Sequence, residues 1–254
     1  MLKRVGLVGS GTIGRHIVRA LLESEFAQIA FICDLDVRGA AEIAPGVDVF
    51  DDLAGISTRR ADLVVEAANA EVMQRIALDV LAKGNFLPFS VTALANNDFY
   101  CSVLEQCKRC GTVLFVPHGA LLGLDGVFDG RTIIESVTIR TIKKPANLGL
   151  AETEVGTIYD GPTREACRRF PRNVNVHAAL ALVGLGFDHQ RSIIVSDPET
   201  PSMRHEIEIS GPGIEWKLMI ASVPVGTVTG SYTPSSAAST VMRTLKVGSG
   251  ITLA

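Results

Sequence analysis

The first half of the chain alternates short apolar runs with amphipathic stretches. Residues 4–8 form a short, mainly apolar run that leads into Gly-Ser-Gly, and residues 13–23 then repeat apolar side chains at helical spacing. Further apolar runs occupy residues 28–33, 62–67, 86–91 and 112–116. Amphipathic stretches at 71–83 and 98–109 each close on a glycine, which is typical of the end of a helix. Apolar strands separated by helices predict a parallel sheet that is covered on both faces.

In the second half, apolar and polar residues alternate instead. The alternating segments predict strands at residues 135–144, 153–159, 191–196, 204–210 and 215–222. One stretch with helical spacing interrupts them, and Pro171 divides it into a helix ending at Arg169 and a second beginning near Asn175. Short strands joined by turns predict a mostly antiparallel sheet.

Together these patterns predict an α/β fold of two domains. Residues 1–117 form a doubly wound parallel sheet, and residues 118–230 form a second α+β domain built on a mostly antiparallel sheet. Residues 231–254 have weaker helical character and are predicted to pack back on the first domain. At 254 residues, the chain is long enough for two domains of ordinary size.

Three glycines lie where the first predicted strand meets the first predicted helix. Their G-x-G-x-x-G spacing permits a tight turn, close approach of a pyrophosphate and close packing of helix on strand. The phosphates would lie against the N–H groups of the helix N-terminus. Such turns also occur without a ligand, but this position predicts a Rossmann dinucleotide-binding domain. The predicted cofactor contacts are Gly9, Ser10, Gly11, Thr12, Ile13 and Gly14.

An aspartate at the end of the second predicted strand bears on the choice of cofactor. Asp34 lies twenty residues after Gly14, where its carboxylate can accept hydrogen bonds from the adenosine ribose. A carboxylate there repels a 2′-phosphate, so NAD is predicted in preference to NADP. Asp36 could share this role, and the nearby Arg38 leaves NADP possible.

Composition excludes several classes of partner. With 47% hydrophobic and 20% charged residues, the chain has the make-up of a compact globular protein. A net charge of -3 and scattered Lys and Arg residues do not produce the positive electrostatic field that holds a phosphate backbone, so no nucleic-acid partner is expected. No apolar run approaches the roughly 20 residues that span a bilayer, so no membrane partner is expected.

Cysteine usage indicates a reduced, cytoplasmic compartment. The chain has five cysteines, an odd number, and its first residues enter a strand without a signal-peptide pattern. Cys107 and Cys110 form a C-x-x-C that could suggest redox or metal chemistry. Because no second ligand pair accompanies them, a structural role is predicted and no metal is expected.

The second half offers few candidates for catalysis. The period-two pattern of residues 204–210 places His205 on the same face as Ile207 and Ile209. One interpretation is a core histidine whose hydrogen bonds are satisfied. The other is a general base beside a nicotinamide, since histidine titrates near neutral pH.

Other polar residues have similarly open interpretations. Asn173 and Asn175 precede an apolar helical run and could cap it, or their carboxamides could bind nicotinamide or substrate. His118 and His177 are possible cleft residues for which structural roles are favoured. Carboxylates of a substrate could be held by any of four cations: Lys143, Lys144, Arg172 and Arg204.

Nine short strings, taken together, resemble the L-aspartate dehydrogenase family. FPRNVNV at 170–176 and the later DPE and HEI are specific, whereas GSGTIG is generic to Rossmann proteins. In chain order the strings are GSGTIG (9–14), VEAA (65–68), SVTAL (90–94), PHGA (117–120), GLD (123–125), KKP (143–145), FPRNVNV (170–176), DPE (197–199) and HEI (205–207). They follow the family order over roughly residues 1–210.

The resemblance implies a homodimer that oxidises L-aspartate with NAD or NADP to iminoaspartate, which is hydrolysed to oxaloacetate and ammonia. It implies that His205 is the catalytic histidine and that Ala120 and Asn175 contact the cofactor. Ala67 and Ala68, in the VEAA string, complete the expected cofactor contacts.

The chain also departs from the family pattern near the expected substrate cleft. His118 stands where the family usually has serine, and Arg204 stands where asparagine precedes the catalytic histidine. The segment at 232–236 replaces Asn-Pro-Lys-Thr-Ser. The leading hypothesis is therefore a dehydrogenase for aspartate or a related small dicarboxylic amino acid. The alternatives are a reductase of a related imine or carbonyl and a non-catalytic protein that senses NAD(P).

Overall fold

The computed structural model describes residues 2–225 and 229–246. Residue 1 of the predicted first domain, residues 226–228 of the second and residues 247–254 of the C-terminal segment lie outside the described residues. The division between residues 117 and 118 itself stays a prediction.

Five strands of the first half form one parallel sheet. They are β1 (Lys3–Val8), β2 (Ala27–Cys33), β3 (Val49–Phe50), β4 (Leu63–Glu66) and β5 (Asn85–Pro88). Their order is β3-β2-β1-β4-β5, and every neighbouring pair is parallel. The chain thus builds outward from β1 in both directions. This reversal leaves a crevice at the carboxyl ends of β1 and β4.

Helices cover both faces of this sheet. They are α1 (Thr12–Leu22), α2 (Val37–Ile43), α3 (Ala70–Leu81) and α4 (Asn97–Cys110), with short 3-10 helices at Leu53–Thr58 and Val91–Ala95. On one face, Ile17 and Leu21 of α1 are buried with Leu7 of β1. On the other, Met73 of α3 is buried with Phe86 of β5. The predicted doubly wound sheet is confirmed.

The predicted strand at 112–116 is wrong. The segment runs beside β5, but only an isolated bridge joins them, between Leu114 and Phe86. One reason is that the Val113 N–H donates to the Asn85 side chain at 2.9 Å, so a side chain replaces part of the main-chain ladder.

The second half contains a mixed sheet. Its strands are β6 (Ser136–Lys143), β7 (Gly156–Pro162), β8 (Arg191–Ser196), β9 (Met203–Gly211) and β10 (Ile214–Ser222). In the order β10-β9-β6-β8-β7, only β6 and β8 are parallel. Its helices are α5 (Leu124–Gly130), α6 (Pro145–Leu148), α7 (Thr163–Arg169) and α8 (Asn175–Val183). The predicted α+β part with a mostly antiparallel sheet is confirmed.

The alternation along β9 sorts its side chains between two environments. His205, Ile207 and Ile209 are buried between sheet and helices, whereas Glu206 and Glu208 lie on the opposite face. This is the pattern expected for a strand with one covered face. It places the imidazole of His205 on the inner face of the sheet.

The last described helix returns to the first sheet. After the two-stranded pair β11 (Pro224–Val225) and β12 (Thr229–Gly230), α9 (Tyr232–Leu245) packs against α1. Its Ala237 and Val241 are buried in the same hydrophobic cluster as Val5 and Ile17. Within residues 2–225 and 229–246, no helix combines the length and apolar character needed to cross a membrane.

Candidate active site

A cleft of about 510 Å³ lies where the carboxyl ends of the parallel strands face the second sheet. The loop at 9–14, called the glycine loop below, contributes Gly11 on one side. The inner face of the second sheet contributes Lys143 and His205 on the other. Both halves of the chain therefore build this cleft, as is common for ligand sites between sheets.

The glycine loop has the geometry that a pyrophosphate requires. Gly9 has a φ of +92°, and a Cβ on Gly14 would lie 2.2 Å from the Gly9 carbonyl oxygen. A Cβ on Gly11 would meet nothing within 4 Å, because that position faces the open cleft. Gly11 is also the N-cap of α1, so no side chain covers the first turn. The residues present fit a dinucleotide, with its phosphates on the N-terminal amides of α1.

Asp34 ties the end of β2 to this loop. Its Oδ2 accepts hydrogen bonds from the backbone N–H of Ser10 and, at 2.8 Å, from the Ser10 hydroxyl. Its Oδ1 accepts the N–H of Asp36 at 2.8 Å. Burial alone would raise the pKa of Asp34, but these N–H and hydroxyl donors hold it below its usual value. Asp34 is therefore an anion beside the glycine loop, and its contact with the ribose stays a prediction.

Glu66, a residue that sequence reasoning missed, accepts hydrogen bonds from two loops of the cleft, those after β4 and β5. It is fully buried, and its Oε1 accepts the Ala68 N–H at 2.7 Å and the Ser90 hydroxyl at 2.9 Å. Its Oε2 accepts the Ser90 N–H at 3.1 Å. Burial raises the pKa of Glu66 to about 7 despite these donors. A single charged residue at the end of an apolar strand was the available signal.

Lys143 places a buried cation in the wall of the cleft. Only 3% of the residue is exposed, and its Nζ donates to the Asn173 Oδ1 at 3.2 Å. Burial lowers the pKa of Lys143 to about 8, so the ammonium form still predominates at neutral pH. Arg172 lines the same cleft. The site therefore offers positive charge to an acidic ligand.

His205 lies across from Thr141 in the register of β9 and β6. Its Nδ1 is 2.8 Å from the Thr141 Oγ1, which leaves Nε2 as the ring nitrogen available to the cleft. Burial, followed by the charge of Lys143, lowers the pKa of His205 to about 3. The imidazole is thus neutral near pH 7 and is able to accept a proton.

The structure brings most of the predicted site residues together. Those that line the cleft are Gly11, Thr12, Ile13, Ala67, Ala68, Ala120, Asn175 and His205. The remaining four, Gly9, Ser10, Gly14 and Asp34, shape or adjoin the glycine loop without lining the cleft. Their individual roles stay predictions.

The structure also decides between interpretations of the asparagines. Neither Asn173 nor Asn175 caps α8, whose N-cap is Val174 without a side-chain hydrogen bond, so the capping interpretation is wrong. Instead the Asn175 Oδ1 accepts the Thr92 N–H at 3.2 Å and joins the two halves of the cleft. The Asn173 carboxamide accepts from the ammonium of Lys143.

The other candidates separate clearly. His118 lines the cleft, and burial followed by Arg243 lowers its pKa. His177, in contrast, is completely buried and does not line the cleft. Lys144 is exposed outside the cleft, and the Arg204 Nε pairs with Glu206 at 2.8 Å on the opposite face of β9. The cysteines of the C-x-x-C are free thiols at the end of α4, away from the cleft.

Two family models match the two halves of the chain. Residues 9–117 match the model described as homoserine dehydrogenase, NAD binding domain. Residues 128–244 match the model described as aspartate dehydrogenase, C-terminal. The first match assigns the nicotinamide-cofactor fold to the half with the glycine loop, and the second covers the sheet that contains His205.

Individual relatives agree with these matches over almost the whole chain. The L-aspartate dehydrogenase of Archaeoglobus fulgidus is 31% identical, covering 96% of this chain and 98% of the relative. That of Nitrosopumilus maritimus is 30% identical, covering 88% and 89%. The solved aspartate dehydrogenase of Thermotoga maritima is 26% identical with a TM-score of 0.78, covering 98% and 100%. The glycine loop, the position of His205 in the cleft and this similarity place the chain in the L-aspartate dehydrogenase family of NAD(P)-dependent oxidoreductases.

Proposed function

We propose that the protein oxidises L-aspartate, or a closely related small dicarboxylic amino acid, with NAD(P). The product is the imine, which water hydrolyses to oxaloacetate and ammonia. The observation that carries this proposal is the buried ammonium of Lys143 beside the neutral imidazole of His205 in one cleft. The first suits a carboxylate and the second suits proton removal.

The glycine loop would hold the cofactor through backbone N–H groups at the start of α1, with Gly11 allowing close approach. Ala120 and Asn175 line the same cleft, and the family resemblance implies that they contact the cofactor. When bound, the nicotinamide supplies a hydride acceptor for the α-carbon of the substrate. The protein then has to orient that carbon and remove a proton.

His205 supplies the proton acceptor in this proposal. As hydride leaves the α-carbon, the C–N bond becomes a double bond and the nitrogen loses a proton. The Nε2 of His205 takes that proton directly or through one water, because its other ring nitrogen is engaged with Thr141. Fixed position and neutral charge both favour this role.

Lys143 and Arg172 would bind the substrate carboxylates. Both line the cleft, whereas the other two cations considered, Lys144 and Arg204, do not. Burial strengthens the attraction between Lys143 and an anion because little water screens it. A substrate with two carboxylates would therefore be preferred over one with a single carboxylate.

Two alternative functions would use the same cleft. His118 lines it at the position where the family usually has serine, so the preferred substrate could differ from aspartate. A reductase of a related imine or carbonyl would use the same groups in reverse. A protein that only senses NAD(P) would bind the cofactor without turnover.

A substrate panel tests the proposal. Purified protein with NAD or NADP is given L-aspartate, L-asparagine, L-alanine or L-glutamate, and NADH or NADPH absorbance is followed. L-Aspartate is expected to react fastest, and L-asparagine at least about 100-fold more slowly, because its amide has no negative charge to attract Lys143 and Arg172. Binding of NADH without turnover of any amino acid, imine or keto acid would favour the sensor.

Two broader expectations are part of the proposal. We propose a homodimer, as the family resemblance implies, to be checked by light scattering coupled to gel filtration. We also propose a cytoplasmic location, supported by five free cysteines, two of them exposed, that suit a reducing compartment. Cell fractionation with a tagged chain tests the second point.

A further inference from the structure

We infer that a buried string of hydrogen bonds sets which ring nitrogen of His205 carries the proton. The string runs from His205 through Thr141, His177 and Ser192 to Thr163. This inference rests on the proposed function and deepens it, because it assigns Thr141 and His177 as positioning residues for the base. Neither residue was expected from the sequence to act in this way.

The string connects five side chains on five elements without a break. His205 Nδ1 lies 2.8 Å from Thr141 Oγ1, which lies 2.6 Å from His177 Nε2. His177 Nδ1 lies 2.9 Å from Ser192 Oγ, which lies 2.7 Å from Thr163 Oγ1. Thr141, His177, Ser192 and Thr163 are all 0% exposed. Water therefore has no direct access to these links.

Gln190 anchors the far end. Its Nε2 donates to Thr163 Oγ1 at 2.9 Å and to the main-chain carbonyl of His177 at 2.8 Å. The hydroxyl of Thr163 can in turn donate to the main-chain carbonyl of Gln190, 3.2 Å away. This end is fixed by an amide and by backbone, neither of which titrates in the working range of the protein.

Proton counting restricts the string. Each hydroxyl has one hydrogen and a neutral imidazole has one N–H. Only two arrangements therefore place one hydrogen in every link and also keep the hydroxyl hydrogens of Thr141 and Ser192 inside the string. In the first, every donor points away from the cleft: His205 donates to Thr141, Thr141 to His177, His177 to Ser192, and Ser192 to Thr163. In the second, every donor points toward the cleft, and Thr141 donates to His205.

The first arrangement makes one hydrogen bond more than the second. Only there is the Thr163 hydroxyl free to donate to the Gln190 carbonyl, whereas in the second it donates to Ser192. In the second arrangement that carbonyl keeps only the Thr163 backbone N–H, at 3.0 Å. The first arrangement places the proton of His205 on Nδ1 and leaves a lone pair on Nε2, toward the cleft.

This arrangement suits a base. When Nε2 takes the substrate proton, the ring becomes an imidazolium whose Nδ1–H still donates to Thr141, so no hydrogen in the string has to move. The hydroxyls of the string are neutral groups. The second imidazole, that of His177, is neutral too, because burial lowers its pKa well below the ordinary value. The string thus orients His205 without the carboxylate that often orients a catalytic histidine.

Nitrogen NMR of the NADH-loaded protein, labelled with ¹⁵N-histidine, tests the inference directly. Long-range ¹H–¹⁵N correlations distinguish the Nδ1–H from the Nε2–H form, and His205→Asn assigns the signal. We expect wild-type His205 to be in the Nδ1–H form. A wild-type ring in the Nε2–H form overturns the inference, whatever the mutants do.

Paired variants test the functional consequence. Thr141→Val removes the hydroxyl and should lower kcat by about 10–100-fold, as losses of orienting partners commonly do. Thr141→Ser keeps the hydroxyl and should restore both kcat and the Nδ1–H form. Thr138→Val, on the opposite face of β6, controls for general effects on the sheet. NADH affinity should be unchanged in all three.

The outcomes separate this inference from the proposed function. If Thr141→Val keeps wild-type kcat, the positioning role is wrong even if aspartate is the substrate. If wild-type protein oxidises no amino acid but shows the Nδ1–H form, the function fails and the tautomer assignment stands. Should Thr141→Val not fold, Ser192→Ala removes two other links of the string, those to His177 and to Thr163, and carries the same expectation.

Discussion

The ammonium of Lys143 and the imidazole of His205 share one wall of the cleft, and the charge of the first lowers the pKa of the second. Burial is the larger cause of that shift, and Lys143 is the second. A carboxylate bound at Lys143 would offset its charge and raise the pKa of His205. Substrate binding would therefore make the imidazole a stronger base when it is needed.

The first prediction concerns dicarboxylate binding and pH. Lys143 has a pKa lowered to about 8 by burial, so above that pH it loses the charge that attracts an anion. The Kd of succinate for NADH-loaded protein should rise about tenfold per pH unit there. Calorimetry at several pH values measures it.

Two variants control this experiment. Lys143→Arg should bind succinate without the loss above pH 8, because arginine stays protonated. Lys143→Met should bind weakly throughout. Wild-type succinate affinity in Lys143→Met would remove Lys143 from the substrate site.

The second prediction concerns the proposed base. His205→Asn keeps a polar group facing Thr141 but has no ring nitrogen that can accept the substrate proton. It should lower kcat by about 10²–10⁴-fold while NADH still binds. Because His205 is buried and hydrogen-bonded, some loss in Tm is expected and does not decide the question. Near-wild-type kcat would eliminate His205 and direct attention to His118.

The third prediction separates two glycines of one loop. Gly11→Val should weaken NADH binding with little change in Tm, because the added side chain enters the open cleft. Gly14→Ala should lower Tm, since its Cβ would lie 2.2 Å from the Gly9 carbonyl oxygen. Unchanged NADH affinity in folded Gly11→Val would contradict the prediction that the glycine loop binds the pyrophosphate.

The fourth prediction concerns cofactor choice. Asp34→Ser removes a negative charge beside the predicted ribose site and should shift the ratio of kcat/KM values from NAD toward NADP. Because Asp34 also accepts hydrogen bonds from Ser10 and Asp36, a lower Tm is expected in parallel. Asp34→Asn, which keeps one acceptor, is the matched variant. An unchanged ratio in both would place Asp34 outside the cofactor site.

The fifth prediction links stability to the buried carboxyl of Glu66. Its pKa is raised from 4.5 to about 7 on folding, so between these values the folded protein keeps a proton that the unfolded chain releases. The free energy of unfolding should therefore fall across this window as pH rises, by up to about 3 kcal/mol. Glu66→Gln mimics the protonated form and should lack this component in urea titrations. Parallel pH profiles for both proteins would refute it.

Much of the fold was readable because period and length are strong signals. The apolar runs that became β1, β2 and β4 and the alternation along β9 depend on which face is buried, and sequence records that directly. The run at 112–116 misled because its pairing depends on side-chain hydrogen bonds as well as on hydrophobicity.

The site was readable only in part. The spacing of the glycines predicts the glycine loop. Thr141 and Ser192, in contrast, look like ordinary strand residues in the sequence, and only the pairing of β6 with β8 and the packing of α8 bring them to His177. Asn175 looked like a helix cap because local sequence favours that role, whereas a partner 83 positions away engages its side chain. Such relationships arise from tertiary packing and leave no local pattern.

The return of α9 to the first sheet has a consequence for synthesis of the chain. Ala237 and Val241 complete a hydrophobic cluster whose strands all lie before residue 89. While the ribosome is still translating the second sheet, α9 has not been made, and this cluster lacks the side chains of Ala237 and Val241. The apolar surface that α9 covers would thus stay exposed until the end of translation, although the strands of this sheet were made first.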